Sequence, residues 1–309
     1  MKRFASLVLV LTLVLAVFAG SAAAAYKIGV LAPAVTHGWV AAVAYHAENR
    51  LKELGDEVEY RIQTSNNAEE MTAQLDDLMT WGAQAIVAFP QWEGMEVPMQ
   101  RALDAGIEIV NFDIVIDLDG IYRIAGDNYD MGVQGAHYIV EKVGPEATVV
   151  ILEVPTSGSV SALRKQGFLD TVAEIAPNLT IYSYATQFTR EAGLADMSDI
   201  LVRHSKIDAV YSMDDETSIG ALQAIREAGR TDIKVITGGG GMQEYFLMMP
   251  ENDDIWIQSA LYSPAMVRDA VDVALRLLKG EEVEAEIIIP TTIVDRTNYQ
   301  DFLDANSPY

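Results

Sequence analysis

From Tyr26 onward the chain alternates short apolar runs with longer stretches in which apolar residues recur at helical spacing. Lys27 to Leu31 reads as a buried strand. Trp39 to Leu54 then sets Val40, Val43, Ala44, Ala47, Leu51 and Leu54 on one helical face. Gly55 is placed to stop that helix, as a left-handed C-terminal residue does. Val58-Glu59-Tyr60-Arg61-Ile62 alternates like a strand, and Asn67 reads as the N-cap of a helix carrying Met71, Leu75, Leu78 and Met79. Two further strands, Ala85 to Phe89 and Ile107 to Phe112, end at Pro90 and Asp113.

The same pattern then restarts. The β-branched run Thr148-Val149-Val150-Ile151-Leu152 is followed by a helix from Ser159 to Ala176, closed by Pro177. Strand Leu179–Ala185, helix Thr189–His204, strand Ala209–Met213 and helix Glu216–Ala228 follow, the last ending at Gly229. Strand Lys234–Thr237 then meets four glycines, Gly238 to Gly241. Strand–helix alternation repeated twice implies an α/β fold of two Rossmann-like doubly wound lobes. No stretch between the halves resembles a flexible linker, so direct strand crossovers are expected to join them, with hinge motion shared by short connections.

The first 25 residues break the pattern. Lys2 and Arg3 precede an almost continuous apolar run from Phe4 to Phe18, and Ala19-Gly20-Ser21-Ala22-Ala23-Ala24-Ala25 supplies the small residues of a cleavage site. This is a secretory signal peptide over residues 1–25, too short and wrongly flanked for a lasting membrane span. No later stretch approaches the roughly 18 apolar residues of a membrane helix, so no stable membrane insertion is expected. The 309 residues carry 45 acidic and 21 basic side chains, a net charge of -24. Removing Lys2 and Arg3 takes the mature chain to -26, that is, -24 minus 2. Such an excess argues against nucleic acid and anionic membrane surfaces, which demand clustered Lys and Arg. The absence of cysteine excludes disulfides, thiolate metal sites, Cys nucleophiles and a lipid anchor on cysteine. A signal without a lipobox cysteine points to a freely diffusing protein of the periplasm, and a monomer is expected.

In open α/β sheets ligands bind beyond the carboxyl ends of the strands. Those positions hold Val35-Thr36-His37-Gly38-Trp39, Phe89-Pro90-Gln91-Trp92 and Asn111-Phe112-Asp113 in the first half. In the second half they hold Pro155 to Ser159, Gln187-Phe188, Asp214-Asp215 and the glycines. Aromatic rings beside acids, amides and a histidine suit a polyhydroxylated small molecule, because rings pack on the apolar face of a sugar while planar side chains bond its hydroxyls. A second reading of Trp39 and Trp92 has them only stapling loops onto helices. Signs of catalysis are lacking. His46, His137 and His204 lie on helices without HxxxH or HExxH spacing, and no nucleophile elbow, P-loop or Gly-x-Gly-x-x-Gly stands between a strand and a helix. Asp215 and Glu216 open a helix, where acids satisfy free N–H groups and the dipole. No enzyme activity, cofactor or metal is expected.

Several short motifs carry a resemblance. They are Lys27-Ile28-Gly29-Val30, the aromatic loop before Trp39, Ile124-Ala125-Gly126-Asp127-Asn128 with Gly132, Ser159-Val160-Ser161 through Arg164 to Gly167-Phe168, Asp214-Asp215-Glu216 with Gly220-Ala221-Leu222, and Lys279-Gly280-Glu281. Their order resembles the periplasmic sugar-binding proteins of ABC importers, of the ribose-binding type, from Tyr26 to about Pro290. The resemblance implies the type I periplasmic binding fold with three crossovers, near Asp127, Tyr262 and Pro290. The N-terminal lobe would then be residues 26–127 plus 263–290, and the C-terminal lobe 128–262 plus 291–309. It also implies a sugar held between aromatics, with Trp39 from the first lobe and Phe188 from the second, and with Trp92 nearby. His37 stands where the family often has Asn. Asp113 and Asp214 match hydroxyl-binding positions, Arg164 the ligand-contacting arginine, and Tyr262 a family Gln at a crossover.

The departures are informative. Ile114 replaces a second arginine, Gly238 to Gly241 replace a Gly-Phe-Asp-Gly that would supply a ligand-binding acid, and Tyr262 replaces an amide. They point away from ribose, towards a ligand that is larger, less polar at one end or differently charged. The four glycines have two readings: a permissive turn, or backbone N–H groups presented to an anion. The expected function is capture of a sugar or sugar-like molecule in an interlobe cleft and delivery to the permease of an ABC importer. The alternatives are a ligand-sensing receptor for a two-component kinase or chemoreceptor, and a receptor for a non-sugar solute.

Overall fold

A computed structural model describes residues 24–34 and 38–309. The expected signal peptide, residues 1–25, falls outside the described residues except for Ala24 and Ala25, and His37 falls outside them too. The first strands are β1 (Tyr26–Pro33), β2 (Val58–Ser65), β3 (Ala85–Ala88), β4 (Glu108–Phe112) and β5 (Tyr122–Gly126). They are followed by β6 (Thr148–Glu153), β7 (Thr180–Ala185), β8 (Ala209–Ser212), β9 (Val235–Gly239) and β10 (Trp256–Ala260). Two short strands, β11 (Glu286–Ile289) and β12 (Ile293–Asp295), come last. They assemble into two sheets with orders β11-β5-β4-β3-β1-β2 and β12-β10-β9-β8-β6-β7. Every pairing in the first is parallel. In the second only β10–β12 is antiparallel. Central strands β3, β8 and β9 are buried along their whole length, as strands covered on both faces must be, whereas the edge strand β7 is largely exposed.

The helices are α1 (Gly38–Leu54), α2 (Ala68–Trp81), α3 (Glu96–Asp104), α4 (Asn128–Val143), α5 (Ser159–Ile175), α6 (Arg190–Arg203), α7 (Asp215–Glu227), α8 (Gln243–Met248) and α9 (Val267–Leu278). Local chemistry sets their starts. Asn67 accepts from the Glu70 amide, Asp127 from Asp130, Thr189 from Ala192 and Asp214 from Glu216 and Thr217. The expected doubly wound α/β architecture is therefore present twice.

The chain passes between the sheets three times. It leaves β5 for α4 at Asp127, returns from β10 to α9, which packs on β3, β4 and α1, and crosses again between β11 and β12. In each sheet the direction of strand addition reverses beside the first strand, between β1 and β3 and between β6 and β8. A crevice opens at each of these switch points.

One expectation needs correction. The strand expected at Lys234–Thr237 runs on to Gly239, with Gly238 and Gly239 in register with Ser259 and Ala260. Only Gly240 and Gly241 turn, with φ of 128° and 91°. Glycine is needed at position 238 for space: a Cβ there would collide with the Asp215 carboxyl and lie 2.8 Å from the Tyr245 ring.

Two helix pairs on the second sheet pack through reciprocal glycines. A Cβ on Gly132 of α4 would strike the Arg164 carbonyl of α5, and one on Gly167 of α5 would strike the Tyr129 carbonyl. Gly193 of α6 and Gly220 of α7 repeat this against Thr217 and Arg190. Because the obstacles are backbone atoms, no rotamer change relieves the clash. Gly132→Ala and Gly167→Ala should each cost about 2 kcal/mol or more of unfolding free energy in urea titrations. A variant with the wild-type midpoint would show that these helices are not in backbone contact.

Candidate functional site

The carboxyl ends of both sheets face a common cleft of about 910 Å³. The first lobe contributes Trp39 from α1, Phe89 to Glu93 after β3, Glu96 from α3, and Asp113 to Ile116 after β4. The second contributes Val154 and Thr156 to Val160 after β6, Arg164 from α5, Gln187 to Thr189 after β7, Asp214, and Gly239-Gly240 after β9. Tyr262, on the β10–α9 passage, and Tyr309 complete the lining. Seven of the eight residues singled out in the sequence, Trp39, Trp92, Asp113, Arg164, Phe188, Asp214 and Tyr262, therefore lie on one cleft. The eighth, His37, is outside the described residues.

A buried polar network connects the two sides. Asp113 is the only non-glycine among the described residues with a positive φ, 70°. Its N–H donates to the Ile124 carbonyl at 2.9 Å, and Arg123 Nη2 donates to its carbonyl at 2.9 Å, which fixes this left-handed turn. The Tyr262 hydroxyl donates to Asp113 Oδ1 and accepts from Asn128 Nδ2 at 3.2 Å. Asn128 Oδ1 in turn accepts from Arg164 Nε at 2.8 Å. Arg164, 5% exposed, also donates from Nη1 to the Met213 carbonyl at 2.6 Å, and its guanidinium sits 4.9 Å from the Tyr262 ring centre. Burial raises the Asp113 pKa, while Tyr262 and Arg164 pull it back. Tyr262 also packs against the first sheet: its ring lies on Gly126, where a Cβ would collide with it.

Trp39 combines both readings offered for it. It is 8% exposed, stacks on Phe112 at 6.2 Å and 11°, meets Phe89 edge-on, and donates its indole N–H to the Tyr262 carbonyl at 2.7 Å. One face is therefore taken by the first-lobe core, and only part of the ring borders the cleft. Trp92 and Phe188 are half-buried and keep more of their rings on the cleft side.

Asp214 caps α7 through Oδ2, at 3.1 Å from the Glu216 amide and 3.2 Å from that of Thr217. Its Oδ1 is buried without a partner among the described residues. Desolvation lifts its pKa to about 6. Asp215 is fully buried, and its Oδ2 accepts from the amides of Gly241 at 3.0 Å and Met242 at 2.9 Å and from Ser259 Oγ at 2.8 Å. Burial raises its pKa to about 7. The amides read from the sequence as a site for an external anion are therefore bonded by the chain's own carboxylate. Glu93, Glu96 and Tyr309 line the cleft without having been picked out. The glutamates follow Trp92 on a loop already recognised, so proximity to that strand end was the available signal. Tyr309 lies in a segment with no periodicity to mark it.

A family model for the periplasmic binding protein domain matches residues 28–282. The chain belongs to this family, whose members bind solutes rather than transform them. The ribose import binding protein of Escherichia coli (strain K12) is 27% identical over 236 residues, covering 75% of this chain and 78% of that one. The D-allose-binding periplasmic protein of the same strain is 27% identical, over 64% of this chain and 67% of its own length. A galactofuranose binding protein of known structure superposes with a TM-score of 0.81 at 25% identity, covering 92% of this chain and 100% of that one. The resemblance read from the motifs is thus borne out in family and fold.

The raised pKa values of Asp214 and Asp215 make a testable link to pH. A folded-state pKa above the unfolded value means that the native state holds protons the unfolded chain releases. This part of stability grows as pH falls from about 7 towards 4 and is lost as pH rises. Asp215→Asn removes one such group. The midpoint difference, wild type minus variant, should therefore be larger at pH 5.5 than at pH 7.5 in scanning calorimetry, and an equal difference would contradict the raised pKa.

Proposed function

We propose that this chain is a periplasmic receptor, exported by its cleavable leader, that captures a sugar or ring polyol and delivers it to the permease of an ABC importer. It works as a monomer. The observation that carries this reading is the cleft at the switch points of both sheets, lined from both lobes by aromatic rings and buried polar groups. The relatives that import ribose, bind D-allose or bind galactofuranose support the same ligand class.

A sugar ring would sit between Phe188 on the second lobe and the Trp39–Trp92 side of the first, its C–H faces against the rings. The free oxygen of Asp214 and the second oxygen of Asp113 accept from hydroxyls. Arg164 has Nε and Nη1 engaged by the protein, which leaves Nη2 to donate to a ring or hydroxyl oxygen. Ligand that touches both lobes binds the closed form more tightly than the open one. That difference in affinity drives closure and presents the loaded receptor to the importer.

A thermal-shift panel of pentoses, hexoses, furanose-forming sugars and cyclic polyols tests the class. One ligand at about 100 times its Kd should stabilise the fold by about 2.7 kcal/mol. Stabilisation by amines or carboxylates alone would end the sugar reading. Arg164→Ala should abolish tight binding, but it also strips the Met213 carbonyl and Asn128 of a partner and so lowers stability. Phe188→Ala is the cleaner variant: calorimetric titration should show at least tenfold weaker binding with the ligand-free midpoint little changed. Unaltered affinity there would remove Phe188 from the site.

A further inference from the structure

The segment after β12 belongs by strand pairing to the second sheet, yet its far end reaches the first lobe. Gln243 of α8 holds its beginning, with Nε2 donating to the Phe302 carbonyl at 3.3 Å and Oε1 accepting from the Asp304 amide at 2.7 Å. Three residues after Phe302's neighbour Leu303, the Asn306 carbonyl accepts from the hydroxyl of Tyr45, on α1 of the first lobe, at 3.1 Å. Ser307 then turns the chain by donating to the Tyr309 carbonyl at 3.0 Å.

Tyr309 ends up 5% exposed between the lobes. A Cβ on Gly38, the first residue of α1, would come within 3.1 Å of its ring, and one on Gly240, after β9, within 2.9 Å of its hydroxyl. Both glycines thus make room for one aromatic ring, from opposite sides of the cleft. The Tyr309 side chain also lines the cleft, and its hydroxyl bonds to none of the described residues. Burial raises its pKa, so the phenol keeps its proton and can donate.

We propose that residues 303–309 form a strap between the lobes, and that Tyr309 at its end is a further ligand-contacting residue of the cleft. The strap favours the closed arrangement before ligand arrives, by burying the Tyr309 ring against Gly38 and Gly240 and by the bond from Tyr45 to Asn306. The ligand contact rests on the proposed sugar-binding reading; the strap does not.

The chain has no cysteine, so Lys52→Cys on α1 and Glu227→Cys on α7, both exposed, provide two spin-label sites in the full-length protein. Pulsed dipolar distances in ligand-free protein should lengthen and broaden on adding Tyr309→Ala, and Tyr309→Phe should restore the closed distribution. Tyr45→Phe, which removes only an exposed hydroxyl, should shift the distances in the same direction as Tyr309→Ala and guards against misfolding of that variant. Distances unchanged in both Tyr309→Ala and Tyr45→Phe would overturn the strap. In calorimetric titration with the best sugar of the panel, Tyr309→Ala should weaken binding at least tenfold, with part of the loss recovered by Tyr309→Phe. Wild-type affinity in Tyr309→Ala would overturn the ligand contact. If the wild type binds no sugar, the functional reading and the contact fail together, while the distances still decide the strap.

Discussion

The hydrogen bond from Tyr262 to Asp113 is the constraint around which the cleft is arranged. Asp113 ends β4 of the first sheet in a left-handed turn, while Tyr262 lies on the passage that leaves the second sheet. Joining them places a carboxyl, a phenol, the Asn128 amide and the Arg164 guanidinium in one buried chain of bonds. Each of these groups would be costly to bury alone, and together they satisfy most of one another's needs. The same tyrosine accepts the Trp39 indole N–H at its carbonyl and rests its ring on Gly126. Both walls of the cleft are therefore positioned from one residue at the crossing between lobes.

Rigidity comes from a different source. The glycine pairs bring α4 against α5 and α6 against α7 until backbone meets backbone, so the second lobe moves as a body if it moves at all. The loops at the strand ends can then differ in side chain without disturbing the layers beneath.

Much of this was legible in the sequence, for identifiable reasons. Strands at 27–31, 85–89 and 148–152 announce themselves because both their faces are buried. The helix at 39–54 does so because one face is. Asn67 marks a helix start through the capping bond it makes, whereas the cap of α7 is Asp214 and not Asp215, to which the sequence reading gave that role and whose carboxyl turns to Gly241 and Met242 instead. Carboxyl ends of strands then identified most of the cleft-lining residues without any knowledge of pairing order. What was hidden depends on contacts far apart in the chain. Gly238 and Gly239 read as a turn because glycine usually marks one, but a strand accepts glycine when a neighbour needs the space, here Asp215 and Tyr245. The partial withdrawal of Trp39 into the core follows from Phe112, more than seventy positions away, and Tyr309 reaches the cleft by tertiary contacts alone. Helix α9 is clearly amphipathic, yet nothing local says that it covers the first sheet.

The carboxylate of Asp215 carries one more consequence, for the kind of sugar the cleft admits. Amides at a glycine turn beside a cleft are what a phosphate ester would seek. Here those of Gly241 and Met242 are taken by a carboxyl oxygen that the chain supplies itself. Arg164 is the only cationic side chain among the described residues of the lining, so a phosphorylated sugar would find few donors there. The turn thus leaves these two N–H groups with no free donor to offer a phosphate ester.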